Sequence, residues 1–231
     1  MLFGSKPVGT ISYMGGVPAL YEDFVWSWTQ LIQYSNEFLC EPGEYIHYTR
    51  SKVSYHSFAR NSLVDNMQGD WLLMLDTDHM FEPDLAVRLL AVFERYNLDV
   101  LTGLYQYKEQ PHLPVLYYWN QEHQFYEVLS YWEGDPEIFE IGSAGGGCLL
   151  IRNTVFKRIR EELNELPFDI IPPWSEDHSF FSRCRKLGIK AFCCPAIESP
   201  HISLRPVKRE DFDRKKVVSV KRPSVEGYKW Q

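Results

Sequence analysis

The hydrophobic positions of the first hundred residues alternate between short continuous runs and helical spacings. Pro7 to Tyr13 is a β-prone run closed by Gly15-Gly16. After Pro18, the apolar residues Phe24, Trp28, Leu31 and Ile32 recur at the spacing of one helix face. Glu44 to Thr49 reads as a second strand, and Ser54 precedes a helical stretch to about Met67 that Gly69 ends. Trp71 to Leu75 is wholly apolar between Asp70 and Asp76, the pattern of a strand buried on both faces of a parallel sheet. Leu85, Leu89, Val92 and Phe93 then mark a helix, and a further strand runs from about Leu98 to Leu104. The order β-α-β-α-β-α-β predicts an open α/β sheet whose ligands bind beyond the carboxyl ends of its strands.

The second half is less regular. Residues from Pro111 to Ile141 hold β-prone pieces around Tyr117 and Phe125 among polar loops. Gly145-Gly146-Gly147 leads into an apolar strand, Cys148 to Ile151, and Asn153 is placed to cap a helix from Thr154 to about Leu166. Ser175 is placed to cap another, with Phe180, Phe181, Cys184 and Leu187 on its buried side and Gly188 as its stop. Ile189 to Cys194 is the last predicted strand.

Composition adds few constraints. The 231 residues are 45% hydrophobic and 24% charged, which fits one large globular domain and excludes a disordered chain. Charge is unevenly divided. Residues 205–231 carry nine basic and four acidic side chains, while the preceding 204 residues hold fifteen basic against twenty-seven acidic, a net of −12. That balance argues against nucleic acid as a partner. Five cysteines without a C-x-x-C pair argue against zinc or a disulfide framework and for a reducing, cytoplasmic setting. No signal peptide or membrane span is predicted.

The sharpest chemistry follows the buried strand. Asp76-Thr77-Asp78 puts two carboxylates where a central strand exits, and their repulsion is relieved by a divalent cation and a phosphate-bearing ligand. Mg²⁺ or Mn²⁺ is usually held by one or two carboxylates together with substrate phosphates.

Taken with its neighbours, this motif resembles a known family. Ala59-Arg60-Asn61, Gly69-Asp70, Asp76-Thr77-Asp78 and Pro83-Asp84 are similar to nucleotide-sugar glycosyltransferases of the GT-A fold, and in particular to the large family that includes cellulose and chitin synthases. Further along, Gly145-Gly146-Gly147-Cys148 with Ile151-Arg152 resembles the family's acceptor-side strand. Glu176-Asp177 followed by Phe181, Arg185, Gly188 and Ile189 resembles its acidic "ED" helix, and His201 stands where several relatives have a metal-binding histidine.

The resemblance spans roughly residues 8 to 204. It implies a Rossmann-like, mostly parallel sheet flanked by helices, with a smaller mixed β portion on the acceptor side. One domain, 1–204, would divide into a nucleotide-binding half, 1–104, and an acceptor-side half, 105–204, with 205–231 as a basic tail. The implied partners are a nucleoside-diphosphate sugar (UDP- or GDP-sugar) and a carbohydrate or other hydroxyl-bearing acceptor. By matching position, Asp76 approaches the ribose and sugar, while Asp78, with Asp76 and His201, holds Mn²⁺ or Mg²⁺. Asp177 is the general base if the transfer is inverting, and Glu176 its catalytic neighbour or a ligand of acceptor hydroxyls. Arg60, Asn61 and Thr77, together with Ser12 and Tyr13 by position, are expected at the donor. Gly145, Gly146 and Trp174 are expected at the acceptor sugar. Lys215, Lys216, Lys221 and Arg222 in the tail are placed to close over the diphosphate.

Two stretches depart from the family pattern. The second strand ends Tyr48-Thr49-Arg50 with no acid to read a nucleobase, and the first ends Ser12-Tyr13-Met14-Gly15 rather than in a Pro-x-x-Asn type of loop. No membrane-spanning extension follows, so a processive embedded synthase is not expected. The alternative readings are a nucleotidyltransferase, a phosphohydrolase of haloacid-dehalogenase type, and a non-catalytic carbohydrate-binding protein. Counting Asp76 as the first position of such a motif, the fifth is Met80 rather than Thr or Val, which counts against the phosphohydrolase.

Overall fold

The computed structural model describes residues 6–203 and Arg209. The elements alternate as the periodicities predict: β1 (Lys6–Tyr13), α1 (Glu22–Phe38), β2 (Glu44–Arg50), α2 (His56–Asp65), β3 (Trp71–Leu75), α3 (Leu85–Arg95) and β4 (Val100–Leu104). Then follow β5 (Leu116–Asn120), β6 (Phe125–Val128), β7 (Phe139–Ile141), β8 (Ser143–Ala144), β9 (Cys148–Arg152), α4 (Asn153–Leu163), α5 (Glu176–Lys186) and β10 (Ala191–Glu198). The fold is α/β of the GT-A type.

Seven strands form the main sheet in the order β2-β1-β3-β9-β4-β10-β7, and three form a small antiparallel sheet, β6-β5-β8. Pairs β1–β2, β1–β3 and β4–β10 are parallel. The strand entered through the triple glycine, β9, runs antiparallel between β3 and β4, and so joins the two halves of the chain in one sheet. Every residue of β3 and β4 is buried, which explains why β3 reads as an unbroken apolar run. Helix α3 buries Leu85, Leu89, Val92 and Phe93 on one face, each contributing about 1.5–3 kcal/mol.

Helix α5 begins and ends as expected. The Ser175 hydroxyl accepts from the His178 amide, and Gly188 takes φ +67° to stop the helix. Asn153 does something other than cap α4: it is the first helical residue, and its side-chain amide donates to the Gly69 carbonyl at 3.0 Å. That bond ties the start of α4 to the turn that launches β3. Except for Arg209, whose guanidinium lies 5.6 Å from the Trp132 ring centre, the basic tail falls outside the described residues, and so do Lys215, Lys216, Lys221 and Arg222.

Candidate active site

The site is built where β3 releases the chain. Asp76 donates its backbone amide to the Gly147 carbonyl, so the acidic turn is pinned against the glycine entry to β9. Two segments 120 residues apart meet beside it. An isolated antiparallel bridge pairs His79 with His201, reinforced by hydrogen bonds from the Ile202 amide to the Asp78 carbonyl and from the Met80 amide to the Pro200 carbonyl. Asp78, His79 and His201 thereby place one donor atom each within 4.8 Å of one another.

This donor set suits a divalent cation. His79 is fully buried; its Nδ1 pairs with the Ser199 hydroxyl at 2.9 Å, while its Nε2 has no hydrogen-bond partner and lies 3.9 Å from Asp78 Oδ1. Burial and the nearby His201 push its pKa down to about 4, so the ring is a neutral imidazole at neutral pH. His201 donates from Nδ1 to the Gln106 carbonyl, so Nε2 is the ring nitrogen left to act as a ligand. The Asp78 carboxyl resists burial and is held below its ordinary pKa by the hydrogen bond from Lys108 and the two imidazoles. One carboxylate and two imidazoles form a mixed oxygen and nitrogen set of the kind that takes Mn²⁺ at least as well as Mg²⁺. An orphaned, buried Nε2 facing a carboxylate is also what such a site leaves for a metal to satisfy.

Next to this cluster, the buried Arg60 of α2 gathers three acids. Its Nε lies 3.0 Å from Asp177 Oδ1 and 3.4 Å from Glu176 Oε1, Nη1 donates to the Gly146 carbonyl at 3.1 Å, and Nη2 reaches both oxygens of Asp76 at 3.3 and 3.4 Å. Burial opposes the charge, but Asp177, Asp76 and Glu176 outweigh it and raise the guanidinium's pKa. The glycines follow from this packing. A Cβ on Gly146 would sit 2.2 Å from the guanidinium carbon, one on Gly147 2.7 Å from the His79 ring, and one on Gly145 2.1 Å from the Tyr105 hydroxyl.

Asp177 answers differently to the same surroundings. Burial, more than the repulsion of Glu176 and Asp76, pushes its carboxyl up to about 7 even with Arg60 pulling down. Its Oδ1 lacks an aligned hydrogen bond despite the short approach of Arg60. A carboxyl poised near neutrality is suited to proton abstraction.

Two clefts flank the turn. One, of about 330 Å³, is lined by residues that include Met14, Gly15, Tyr21, His56, Thr77 and Asp78. The other, of about 400 Å³, is walled by Tyr105, Tyr107, Tyr117, Gly145, Asp177 and His178 among others. Asp76 and His201 line both.

Residues 28–160 match the family model for glycosyl transferase family 2. The chain belongs to that family. This glycosyltransferase resembles the crystal structure of GalNAc-T7 with UDP, GalNAc and Mn2+ at a TM-score of 0.58 and 11% identity, over 84% of this chain. The match spans 43% of the GalNAc-T7 chain, so less than half of that protein has a counterpart in it. Protein A197 from STIV is similar at a TM-score of 0.47 and 17% identity, covering 84% of this chain and 85% of the other. No curated protein matches the chain in sequence.

Not every residue expected at the glycosyltransferase's site faces a cleft. Ser12 is buried and donates to the Leu73 carbonyl, and Tyr13 packs edge-on against Phe24 and Trp28. Asn61 is a structural staple: it donates to Asp169 and accepts from the Phe168 amide, holding the loop before α5. Arg60 is committed to carboxylates rather than open to a phosphate, and Glu176 sits buried beneath it, 3.6 Å from His56. Asp76 turns to Arg60 and stands outside the metal-ligand trio. Trp174 packs against Phe125, Tyr126 and Trp119 instead of lining the second cleft. Asp78, His201, Asp177, Thr77, Gly145 and Gly146 line the clefts.

Sequence reading missed His79, Lys108, His178 and the three cleft tyrosines. His79 directly follows Asp78, so a ligand reading of the four-residue turn was the signal available for it. His178 is neutral, its pKa lowered to about 4 by burial, and its Nδ1 pairs with the Ser143 hydroxyl at 2.6 Å.

Proposed function

We propose that this glycosyltransferase moves a sugar from a nucleoside-diphosphate donor in the first cleft to an acceptor hydroxyl in the second. The observation that carries the reading is the shared wall: Asp76 and His201 border both clefts, with Asp177 opening on the acceptor side. Asp78, His79 and His201 would hold the divalent cation, Mn²⁺ by its mixed ligands, with Mg²⁺ as the alternative. Bound there, the cation supplies positive charge against the departing diphosphate.

The chain's own groups do the rest. Asp177 takes the acceptor proton, and Arg60 fixes it in place while keeping the cluster's charge balanced. Asp76, oriented by the same guanidinium, stands at the junction where donor sugar and acceptor meet. A base on the acceptor side implies inversion at the anomeric carbon. The likeness to the cellulose and chitin synthase family fits the acidic turn, the acidic helix and the C-terminal histidine. One unit spanning 1–204 is supported by β9, which binds both halves in one sheet. Free thiols at all five cysteines fit a reducing, cytoplasmic setting, and no helix among the described residues is long and apolar enough to cross a membrane.

The test is hydrolysis and transfer of UDP- and GDP-sugars with and without Mn²⁺, alongside UDP binding to Asp78→Ala. Loss of Mn²⁺-dependent UDP binding in that variant is expected; unchanged binding overturns the metal centre.

A further inference from the structure

We propose that Lys108 is a second cation of the donor site, which pairs with Asp78 in the resting protein and with the donor's diphosphate during binding. The inference rests on the metal centre proposed above. Lys108 Nζ donates to Asp78 Oδ2 at 2.5 Å, and both side chains are about one-third exposed, 31% and 35%. The ammonium therefore holds one oxygen of the only carboxylate in the ligand trio.

The charge around the first cleft gives this contact its meaning. Among the described residues, none lining that cleft is Lys or Arg, and Arg60 is spent on Asp76, Glu176 and Asp177. A diphosphate entering a cleft bordered by Asp76 and Asp78 meets carboxylates first, so it needs more positive charge than these walls provide. Lys108 already reaches the cleft's acidic edge. Its flexible four-carbon stem and rotatable ammonium let it change partner without moving the backbone far.

The segment carrying Lys108 is also fixed at its base. The Gln106 carbonyl accepts from His201, Gln106 bridges to Pro114, and the Tyr107 amide bonds the Leu113 carbonyl. Tyr107 itself lines the acceptor cleft and meets Tyr117 through their hydroxyls. Adjacent residues thus touch the two clefts: Tyr107 lines the acceptor cleft, and Lys108 pairs with Asp78 at the edge of the donor cleft. Lys108 yields Asp78 to a divalent cation and turns its ammonium to the diphosphate oxygens, where a charge-assisted hydrogen bond replaces the ion pair it gave up.

Two binding measurements on the intact chain test this, and they are expected to move in opposite directions. Mn²⁺ titrated alone into Lys108→Met binds about 1.5- to 5-fold tighter than into wild type, because a partly exposed ion pair no longer competes for Asp78. Inorganic pyrophosphate titrated into the Mn²⁺-saturated variant binds at least about tenfold weaker, with Lys108→Arg restoring most of the loss. A merely structural role for Lys108 weakens both. Unchanged or weaker Mn²⁺ binding in Lys108→Met, or unchanged pyrophosphate binding, overturns the proposal for Lys108 alone. If wild type and Asp78→Ala bind Mn²⁺ equally, the metal centre fails and this inference with it.

Discussion

The two clefts beside the acidic turn share a wall but are built from opposite materials. The first collects carboxylates and imidazoles on turns at the carboxyl ends of parallel strands, with Asp78, His201 and Thr77 at its edge. The second is walled by Tyr105, Tyr107 and Tyr117 with a neutral His178, and Asp177 and Asp76 bring the acids to it. One side concentrates charge and metal-ligating groups; the other presents aromatic rings and hydroxyls. Arg60 lies between them and contacts the acids of both. The lesson is that a single buried guanidinium lets an acidic turn and a carboxyl of raised pKa coexist a few ångströms apart without mutual collapse.

The most severe way to break the comparison is Asp177→Asn. Transfer is expected to fall by about 10²- to 10⁴-fold while Mn²⁺-dependent UDP binding stays at the wild-type level. Transfer at the wild-type rate would remove the acceptor cleft's chemical role. Arg60→Met attacks both sides at once. Removing one partner from a buried charge network costs about 3–5 kcal/mol, read as a lower midpoint in urea unfolding with an unchanged m-value. A fall confined to activity, with stability intact, would show that Arg60 does not bind the clefts together.

Acidity separates the clefts more gently. Below about pH 7 the Asp177 carboxyl is protonated, so turnover at saturating donor falls about tenfold per pH unit, and the residual rate of Asp177→Asn is flat there. The stability effect has the opposite sign. The folded pKa is raised above the unfolded value, so the folded state keeps a proton the unfolded chain has released, and stability declines as pH rises through about 7. The smallest effect belongs to Tyr117→Phe, which removes the hydroxyl that meets Tyr107. It raises acceptor KM by about 2- to 12-fold, the worth of one hydrogen bond, and leaves donor KM alone.

Legibility followed burial and length. Strands β3 and β4 announce themselves because both faces are covered, and α3 because its apolar stripe is complete. Strands β7 and β8, of three and two residues, are too short to carry any period, so the small sheet could be foreseen only in part. Within the site, Asp78 drew notice as one of two carboxylates where a strand exits, while only the family resemblance pointed to His201 and Asp177. Asn61 and Ser12 did not reveal their roles, since a hydrogen bond to the chain's own backbone looks the same in sequence as one to a ligand. Gly145 and Gly146 were expected at an acceptor sugar; that the triple glycine packs on Arg60, His79 and Tyr105 takes a folded chain to say.

The position of β9 has a consequence for how the protein is made. Strands β3 and β4 are consecutive in the chain, yet they are separated in the sheet by a strand that begins at residue 148. While the ribosome has delivered only the first hundred or so residues, the centre of the sheet is a gap with two open apolar edges. The acidic turn at Asp76 likewise has no Gly147 carbonyl to bind. Nascent chains of this protein are therefore most exposed to misassembly over the stretch of synthesis between β4 and β9, and a chaperone that shields strand edges has its work there.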